Sequence, residues 1–321
     1  MDVRPAGIAV LQAALGPRLQ AGVLLGRYTA ARIGGPAEML LEVQTLDELV
    51  EAVRLCWRNQ VDFLILGGGS NVLVSDAGVP GLVLINRARQ VRFDERADPP
   101  MVRAESGANF GLLARQAAQL GLSGLEWAAG IPGSVGGAVV GNAGAHGSDM
   151  AGNLRLAEIL HRMDSEFTEF AAQGEEPRRE MWAADRLDFI YRGSLLKRQA
   201  GRAVVLAAHL QLAHSTPQAV QARIDEFVAH RRRTQPPGAS MGSMFKNPPG
   251  DYAGRLIEAV GLKGARMGGA EISNLHANFF TNQGQATASD VYALIQMAQQ
   301  RVLEKFGVRL ELEIELLGEW E

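Results

Sequence analysis

The apolar run Leu64-Ile65-Leu66 breaks into Gly67-Gly68-Gly69-Ser70-Asn71 and then resumes as Val72-Leu73-Val74. Three consecutive glycines interrupt any regular element, because each loses much backbone freedom on ordering and packs no side chain. The stretch therefore reads as a buried strand, a tight turn and a second strand. Without a Cβ in the way, such a turn lets the backbone approach a ligand closely, and successive N–H groups in it can form an anion-binding nest. Phosphate is the natural guest, and a plain tight turn is the alternative. The two familiar phosphate motifs do not fit. The lysine of a Walker A loop is missing, and the dinucleotide fingerprint opens a helix, whereas Val72-Leu73-Val74 reads as strand.

A second glycine-dense region follows. Residues 124–147 hold eight of the 37 glycines, in Ala129-Gly130-Ile131-Pro132-Gly133-Ser134-Val135-Gly136-Gly137-Ala138 and Asn142-Ala143-Gly144-Ala145-His146-Gly147 among others. No periodicity long enough for an amphipathic element runs through it. Either it is a surface loop, or it wraps something large and flat. Two such regions in one half of the sequence point to an extended ligand with a pyrophosphate and rings.

Composition bounds the rest. With 47% hydrophobic residues and a net charge of −3, the chain is not wholly disordered and offers no global electrostatic footprint for nucleic acid. At roughly 100–200 residues per domain, two or three domains are expected. No apolar run approaches the ~18 residues of a membrane span, and Met1 to Arg18 lacks the pattern of a secretory leader. The single cysteine, Cys56, excludes an intramolecular disulfide and reads as a small buried group. A cytoplasmic location is expected, with neither nucleic acid nor membrane as partner.

Periodicity sketches the elements. Residues 1–25 read as a helix or loose arm, and Met39 to Val43 as a short strand. Thr45 and Glu48 have capping-box spacing before a helix whose Leu46, Leu49, Val50, Val53 and Trp57 share a face. Strands are expected at Phe63–Leu66, Leu82–Ile85, Val102–Ala104 and Val204–Leu212, with Asn109 capping a helix through Leu112, Leu113, Ala117 and Leu120 that Gly121 stops. Residues 165–185 read as loop. Thr216-Pro217 opens a helix carrying Val220, Ile224, Phe227 and Val228, and a domain boundary is placed near residue 214. A short helix is expected over Ala253–Val260. A long one, with Thr287 as cap and Gly307 as stop, carries Val291, Leu294, Ile295, Ala298, Val302 and Phe306. Leu310-Glu311-Leu312-Glu313-Ile314-Glu315-Leu316 alternates as a half-exposed strand.

Three further constellations have a chemical and a plain reading. Arg192, beside Tyr191, is either a surface arginine or a fork for carboxylate or phosphate. Ser243, in Gly242-Ser243-Met244-Phe245-Lys246-Asn247-Pro248, is either a turn serine or a proton donor or nucleophile, and no nucleophile elbow surrounds it. Glu311, Glu313 and Glu315 form a solvated row, unless one enters a cleft. A basic run, Arg231-Arg232-Arg233, falls at a helix C-terminus, where positive charge is favourable anyway, and phosphate binding is its other reading. No metal-binding motif occurs.

In this order the motifs resemble the UDP-N-acetylenolpyruvoylglucosamine reductase (MurB) family. The matching blocks are Tyr28–Ala37, Leu66–Val74, Gly130–Gly137 with Asn142–Gly147, Tyr191-Arg192, Gly242–Pro248 and Leu310–Glu313. The resemblance implies an α+β (α/β) fold, with an FAD-binding domain of vanillyl-alcohol-oxidase (PCMH) type plus a C-terminal α/β substrate-binding domain. The regions would be 1–213, with subdomains of roughly 1–75 and 76–213, then 214–306, and a terminal strand 307–321. It implies non-covalent FAD held by Gly67, Gly68, Gly69, Ser70, Asn71, Gly130, Ile131, Pro132, Gly133, Ser134, Gly136, Gly137, Asn142 and Gly144. The implied reaction, in peptidoglycan precursor synthesis, is ping-pong. NADPH reduces the flavin and leaves, the enolpyruvyl nucleotide takes its place, and hydride passes from flavin N5 to the enolpyruvyl methylene carbon. Arg192 and Glu313 match the residues that hold and polarise the substrate carboxylate, and Ser243 matches the proton donor to the neighbouring carbon. Tyr191, Lys246 and Asn247 would contact the substrate, the last two near its phosphates.

The sequence departs from parts of the family pattern. The interval from Arg192 to Ser243 is too short for the Tyr-bearing loop of one branch, so the protein resembles the shorter branch. Met244 and Leu196 stand where aromatics are frequent. Two other readings compete. One is an oxidase of the same superfamily, which often attaches FAD covalently, with His146 the histidine inside the glycine-rich loop. The other is a nucleotide-binding module without turnover.

Overall fold

The computed structural model describes residues 4–162 and 176–320. They form two compact units. The first takes in the sequence up to Leu19, Leu41–Gly67 and Leu84–Ala229, and the second Gln20–Leu40, Gly68–Val83 and everything from His230 onward.

The first unit is built on a five-stranded antiparallel sheet in the order Arg178–Ala183, Leu154–His161, Ala203–Gln211, Met101–Glu105, Val91–Asp94. Ala157, Ile159, Ala208, Leu210, Val102 and Ala104 share a core with the helix Phe110–Gln119. Phe110 meets Trp127 edge to face at 5.3 Å between ring centroids, the arrangement that aromatic quadrupoles favour. Glu158 is buried in this sheet and receives hydrogen bonds from Arg103 at 2.5 Å, Arg179 at 2.7 Å and His209 at 3.1 Å. Burial pushes its carboxyl up, and these donors outweigh burial to hold it at about 2.

The second unit carries a four-stranded antiparallel sheet in the order Ala239–Ser243, Phe279–Asn282, Ala270–Ile272, Arg266–Met267. The helix Ala288–Phe306 packs on it through Val291, Leu294, Ile295, Ala298 and Val302. Its N-terminus has a complete capping box, Thr287 with Asp290, and the Asp76 carboxylate accepts from the N–H groups of Ala288 and Ser289 at 2.8 and 2.9 Å. Negative charge is favourable at that end of a helix. Gly307 closes the helix in the left-handed region at φ +67°.

Several sequence expectations need correction. Thr45 caps the helix Leu46–Arg58 by accepting from Glu48 N–H, but the Glu48 carboxylate accepts from Gln44 N–H and Arg18 rather than from Thr45. The buried stripe of that helix is Leu46, Leu49, Ala52, Val53 and Cys56, so Val50 and Trp57 flank it. In the helix Phe110–Gln119, Leu112 points outward, as does Leu120 beyond its end, while Phe110, Leu113, Ala114 and Ala117 face inward. The expected N-terminal arm holds the helix Arg4–Leu15 and a strand, Gln20–Leu24, that pairs antiparallel with Pro36–Leu40. Of the stretch 165–185, residues 165–175 lie outside the described residues, and Arg178–Ala183 is the sheet's edge strand rather than loop. Cys56 is buried as expected, and burial pushes its thiol up to about 12.

The C-terminal alternation is not one strand. Glu311–Glu313 lies along Met244–Lys246 with an isolated bridge between Phe245 and Leu312, and only Glu315–Leu317 forms a strand, parallel to Val72–Val74. The backbone changes partner within the run, so it cannot extend a single ladder. Leu310 and Ile314 are buried, whereas Leu312 and Leu316 are only half so.

Candidate functional site

Within the first unit the two glycine regions meet. A Cβ on Gly67 would lie 2.1 Å from Ser134 Oγ, and one on Gly136 would lie 2.8 Å from Ser106 Cβ. Either distance is far inside van der Waals contact, so both positions require glycine for close approach. Ser134 caps the short helix Val135–Val140, an element hidden in the glycine-rich stretch, and accepts from Gly137 N–H at 3.4 Å. Several backbone donors here are already used. Ile131 donates to Ala128 O, Val135 to Ala108 O and Gly136 to Ser106 O. These residues therefore shape a surface rather than supply N–H groups to a ligand.

The Arg192 turn is fastened to that same loop. Ile190 and Gly193 exchange backbone hydrogen bonds at 3.0 and 3.1 Å, closing a turn in which Arg192 sits at φ +57°. For a non-glycine residue this left-handed conformation is uncommon and carries strain. Asn142, buried and itself at φ +42°, donates to Ile190 O at 3.0 Å and accepts from Ala151 N–H at 3.1 Å. Ser194 donates to Val140 O at 2.7 Å. A Cβ on Gly144 would lie 3.2 Å from Arg192 Nη1, so this glycine leaves room for the guanidinium. The guanidinium also stands 5.3 Å from the centre of the Tyr191 ring, which is largely exposed. Asn142 thus holds the loop against the arginine turn. His146 stacks flat on Phe227 at 4.1 Å.

Ser243, Glu313 and Asn71 come together within the second unit. Ser243 ends the strand Ala239–Ser243, after a register shift against Phe279–Asn282 that leaves Gly242 at φ +80°. Glu313 N–H donates to Met244 O at 2.9 Å, one residue past Ser243. Glu313 O accepts from the Asn71 side-chain amide at 3.1 Å, and Asn71 O accepts from Glu315 N–H at 3.0 Å. Both backbone polar groups of Glu313 are fixed, and its side chain is half-buried. Beneath the turn, Gly69 O accepts from Ala30 N–H at 2.9 Å, and a Cβ on Gly69 would lie 2.1 Å from Tyr28 O.

The remaining sequence candidates lie close by. Lys246 N–H donates to Glu311 O at 2.9 Å, and its ammonium pairs with the exposed Glu311 carboxylate at 3.3 Å. Asn247 Oδ1 accepts from Ala253 N–H at 3.1 Å, so part of its side chain serves the helix Ala253–Ala259. Met244 is fully buried in the core of the second unit, and Leu196 is buried in the first. Both side chains fill core space. Arg231 is half-buried, and burial lowers its pKa.

Sequence reading missed Asn278. This buried asparagine bonds both backbone polar groups of Phe245 through its side chain. Its one sequence signal is an amide set between Ala277 and Phe279, a place where burial demands hydrogen-bond partners.

The chain is similar to known proteins in both sequence and structure. A family model described as UDP-N-acetylenolpyruvoylglucosamine reductase, C-terminal domain, matches residues 234–317, and one described as FAD binding domain matches residues 37–164. The UDP-N-acetylenolpyruvoylglucosamine reductase of Chloroflexus aggregans is 41% identical over 296 residues, covering 91% of this sequence and 95% of that protein. The one from Rubrobacter xylanophilus is 44% identical over 295 residues, covering 92% and 94%. The crystal structure of the reductase from Thermus caldophilus matches with a TM-score of 0.76 and 37% identity, covering 94% of this protein and 99% of that one.

Proposed function

The chain belongs to the UDP-N-acetylenolpyruvoylglucosamine reductase family, and from that membership we propose how its residues divide the work. It is an FAD-containing, NADPH-dependent oxidoreductase that reduces UDP-N-acetylglucosamine enolpyruvate to UDP-N-acetylmuramate for peptidoglycan synthesis. Its fold joins an FAD-binding domain to the family's C-terminal domain. Among the described residues no helix is long and apolar enough to cross a membrane. We place the reaction in the cytoplasm, a compartment that suits a lone buried thiol.

The glycine surface fits an extended cofactor with a pyrophosphate, because Gly67 packs directly on Ser134 and the neighbouring Pro132 and Gly137 stay exposed, leaving backbone that a flat ligand can approach. Gly67, Gly68, Gly69, Ser70, Gly130, Pro132, Gly133 and Ser134 would hold FAD, with Ile131, Gly136 and Gly137 shaping the surface. Asn71 and Asn142 act by fixing the backbone of Glu313 and Ile190, and Gly144 by leaving room for the Arg192 guanidinium. When bound, FAD relays two electrons from NADPH to the substrate.

Reduction of the enolpyruvyl double bond leaves negative charge on the carbon next to the carboxylate, delocalised into it. Arg192 binds that carboxylate with its planar fork of donors. Glu313 assists only when protonated, since an ionised carboxylate would repel the substrate's own. Ser243 donates the proton that completes the reduction and is reprotonated from solvent. A neutral hydroxyl is a weak acid, so its effectiveness comes from placement within hydrogen-bond reach. Tyr191, Lys246 and the amide nitrogen of Asn247 bind the rest of the nucleotide substrate.

The observation that carries this assignment is the bond from Glu313 N–H to Met244 O, which sets Glu313 beside the strand end bearing Ser243. The test is spectroscopic. Anaerobic NADPH should bleach the flavin of the purified protein, and the enolpyruvyl nucleotide should then restore its colour. Bleaching without recovery would contradict the assigned substrate.

A further inference from the structure

We infer that Asn278 is a positioning residue for the proton-transfer step, setting Ser243 and Glu313 relative to one another through the Met244–Phe245 backbone. This rests on the assignment of Ser243 as proton donor. Asn278 ends the turn Ser273–Asn278, just before the strand Phe279–Asn282, and is only 3% exposed. Its Oδ1 accepts from Phe245 N–H at 2.9 Å, and its Nδ2 donates to Phe245 O at 2.8 Å. Its own backbone carbonyl accepts from Met244 N–H at 2.8 Å.

The side chain thus does what a strand neighbour would do. The ladder between Ala239–Ser243 and Phe279–Asn282 ends at the pair Ser243 and Phe279. Beyond it the Asn278 amide takes the place of the next peptide group and satisfies both backbone polar groups of Phe245. On its other edge the same segment meets Glu311–Glu313, through Glu313 N–H to Met244 O and Lys246 N–H to Glu311 O, both at 2.9 Å. Met244–Lys246 is therefore held between Asn278 and the segment that carries Glu313. Loss of the clamp frees the backbone that follows Ser243 and supports Glu313, and leaves buried polar groups of Phe245 without partners. A displacement of about 1 Å at a reacting group can cost about 100-fold in rate.

The test uses the flavin-loaded, full-length protein. Asn278→Ala removes all the side-chain bonds, and Asn278→Asp keeps the shape and the acceptor but removes the donor, should the alanine variant fold poorly. Each half-reaction is followed anaerobically in the variant, in Ser243→Ala and in the double variant. The expected result is an oxidative half-reaction slowed about 10- to 100-fold, reduction by NADPH within about twofold of the native rate, and little further loss when the change is added to Ser243→Ala. Equal slowing of both halves, native rates in both, or a full additional loss in the double variant would overturn the inference. If Ser243→Ala itself turned over at the native rate, the proton-donor assignment would fall first, and this inference with it.

Discussion

The side-chain amide of Asn71 donates to the backbone carbonyl of Glu313 at 3.1 Å, across a separation of 242 residues. A residue of the glycine turn thereby fixes a residue of the C-terminal run. With Glu313 N–H held by Met244 O, the Glu313 backbone is bonded on both sides.

Asn71→Ala should free the Glu313 carbonyl while leaving the Gly67–Gly69 backbone in place. We expect the oxidative half-reaction to slow about 10-fold, with a stability loss of about 1 kcal/mol, the typical net value of one hydrogen bond. Stopped-flow traces for each half-reaction and thermal melts check this. A loss of flavin with unchanged half-reaction rates in the loaded fraction would mean that Asn71 serves the cofactor directly.

Gly67→Ala should expel flavin. The new Cβ would meet Ser134 Oγ at 2.1 Å, displacing the residue that caps Val135–Val140. Overpacking of this kind costs about 1–3 kcal/mol. The ratio of flavin to protein absorbance should fall well below that of the native protein, and Ser134→Gly in the same protein should restore part of it.

Arg192→Lys should retain the charge and lose the fork. Lysine offers point-charge contacts in place of paired donors, so a roughly 100-fold fall in the oxidative half-reaction is expected. NADPH reduction of the flavin should remain near native. Steady-state and single-turnover rates together make the comparison.

Glu158 gives a pH signature unrelated to turnover. Its native pKa of about 2 lies below the ordinary value of about 4.3. A lowered carboxyl pKa stabilises the fold above the unfolded-state value, and that contribution is lost as pH falls from about 4.3 towards about 2. Glu158→Gln should cost about 2 kcal/mol at neutral pH and flatten the stability curve over that window. Urea midpoints at several pH values measure it. Parallel curves for both proteins would show that Arg103, Arg179 and His209 contribute no net stabilisation through this carboxylate.

The sequence was most legible where one physical requirement dominates. Thr287, the stripe from Val291 to Val302, and Gly307 specify a helix with both ends, and all three hold. The glycines at 67 and 136 stand out in the sequence, yet the groups that demand them are Ser134 and Ser106 of the same unit, whereas the sequence pointed to a ligand. Legibility failed where the backbone changes partner. Leu310–Leu316 alternates like a strand, yet pairs first with Met244–Lys246 and then with Val72–Val74, and alternation does not encode which neighbour lies alongside. Asn278 and Asn142 were hard to read for a related reason. Each acts by bonding backbone distant in sequence, Phe245 in one case and Ile190 in the other, and a lone asparagine carries no period that would reveal its partner.

Whether Ser243 delivers the proton is decided by one comparison. Native protein and Ser243→Ala are mixed anaerobically, first with NADPH and then with the enolpyruvyl nucleotide, and flavin absorbance is followed through both phases. Equal bleaching rates are expected, with recovery at least about 100-fold slower in the variant, the scale of a lost general acid. Recovery at the native rate, or equal slowing of both phases, would show that the proton comes from elsewhere.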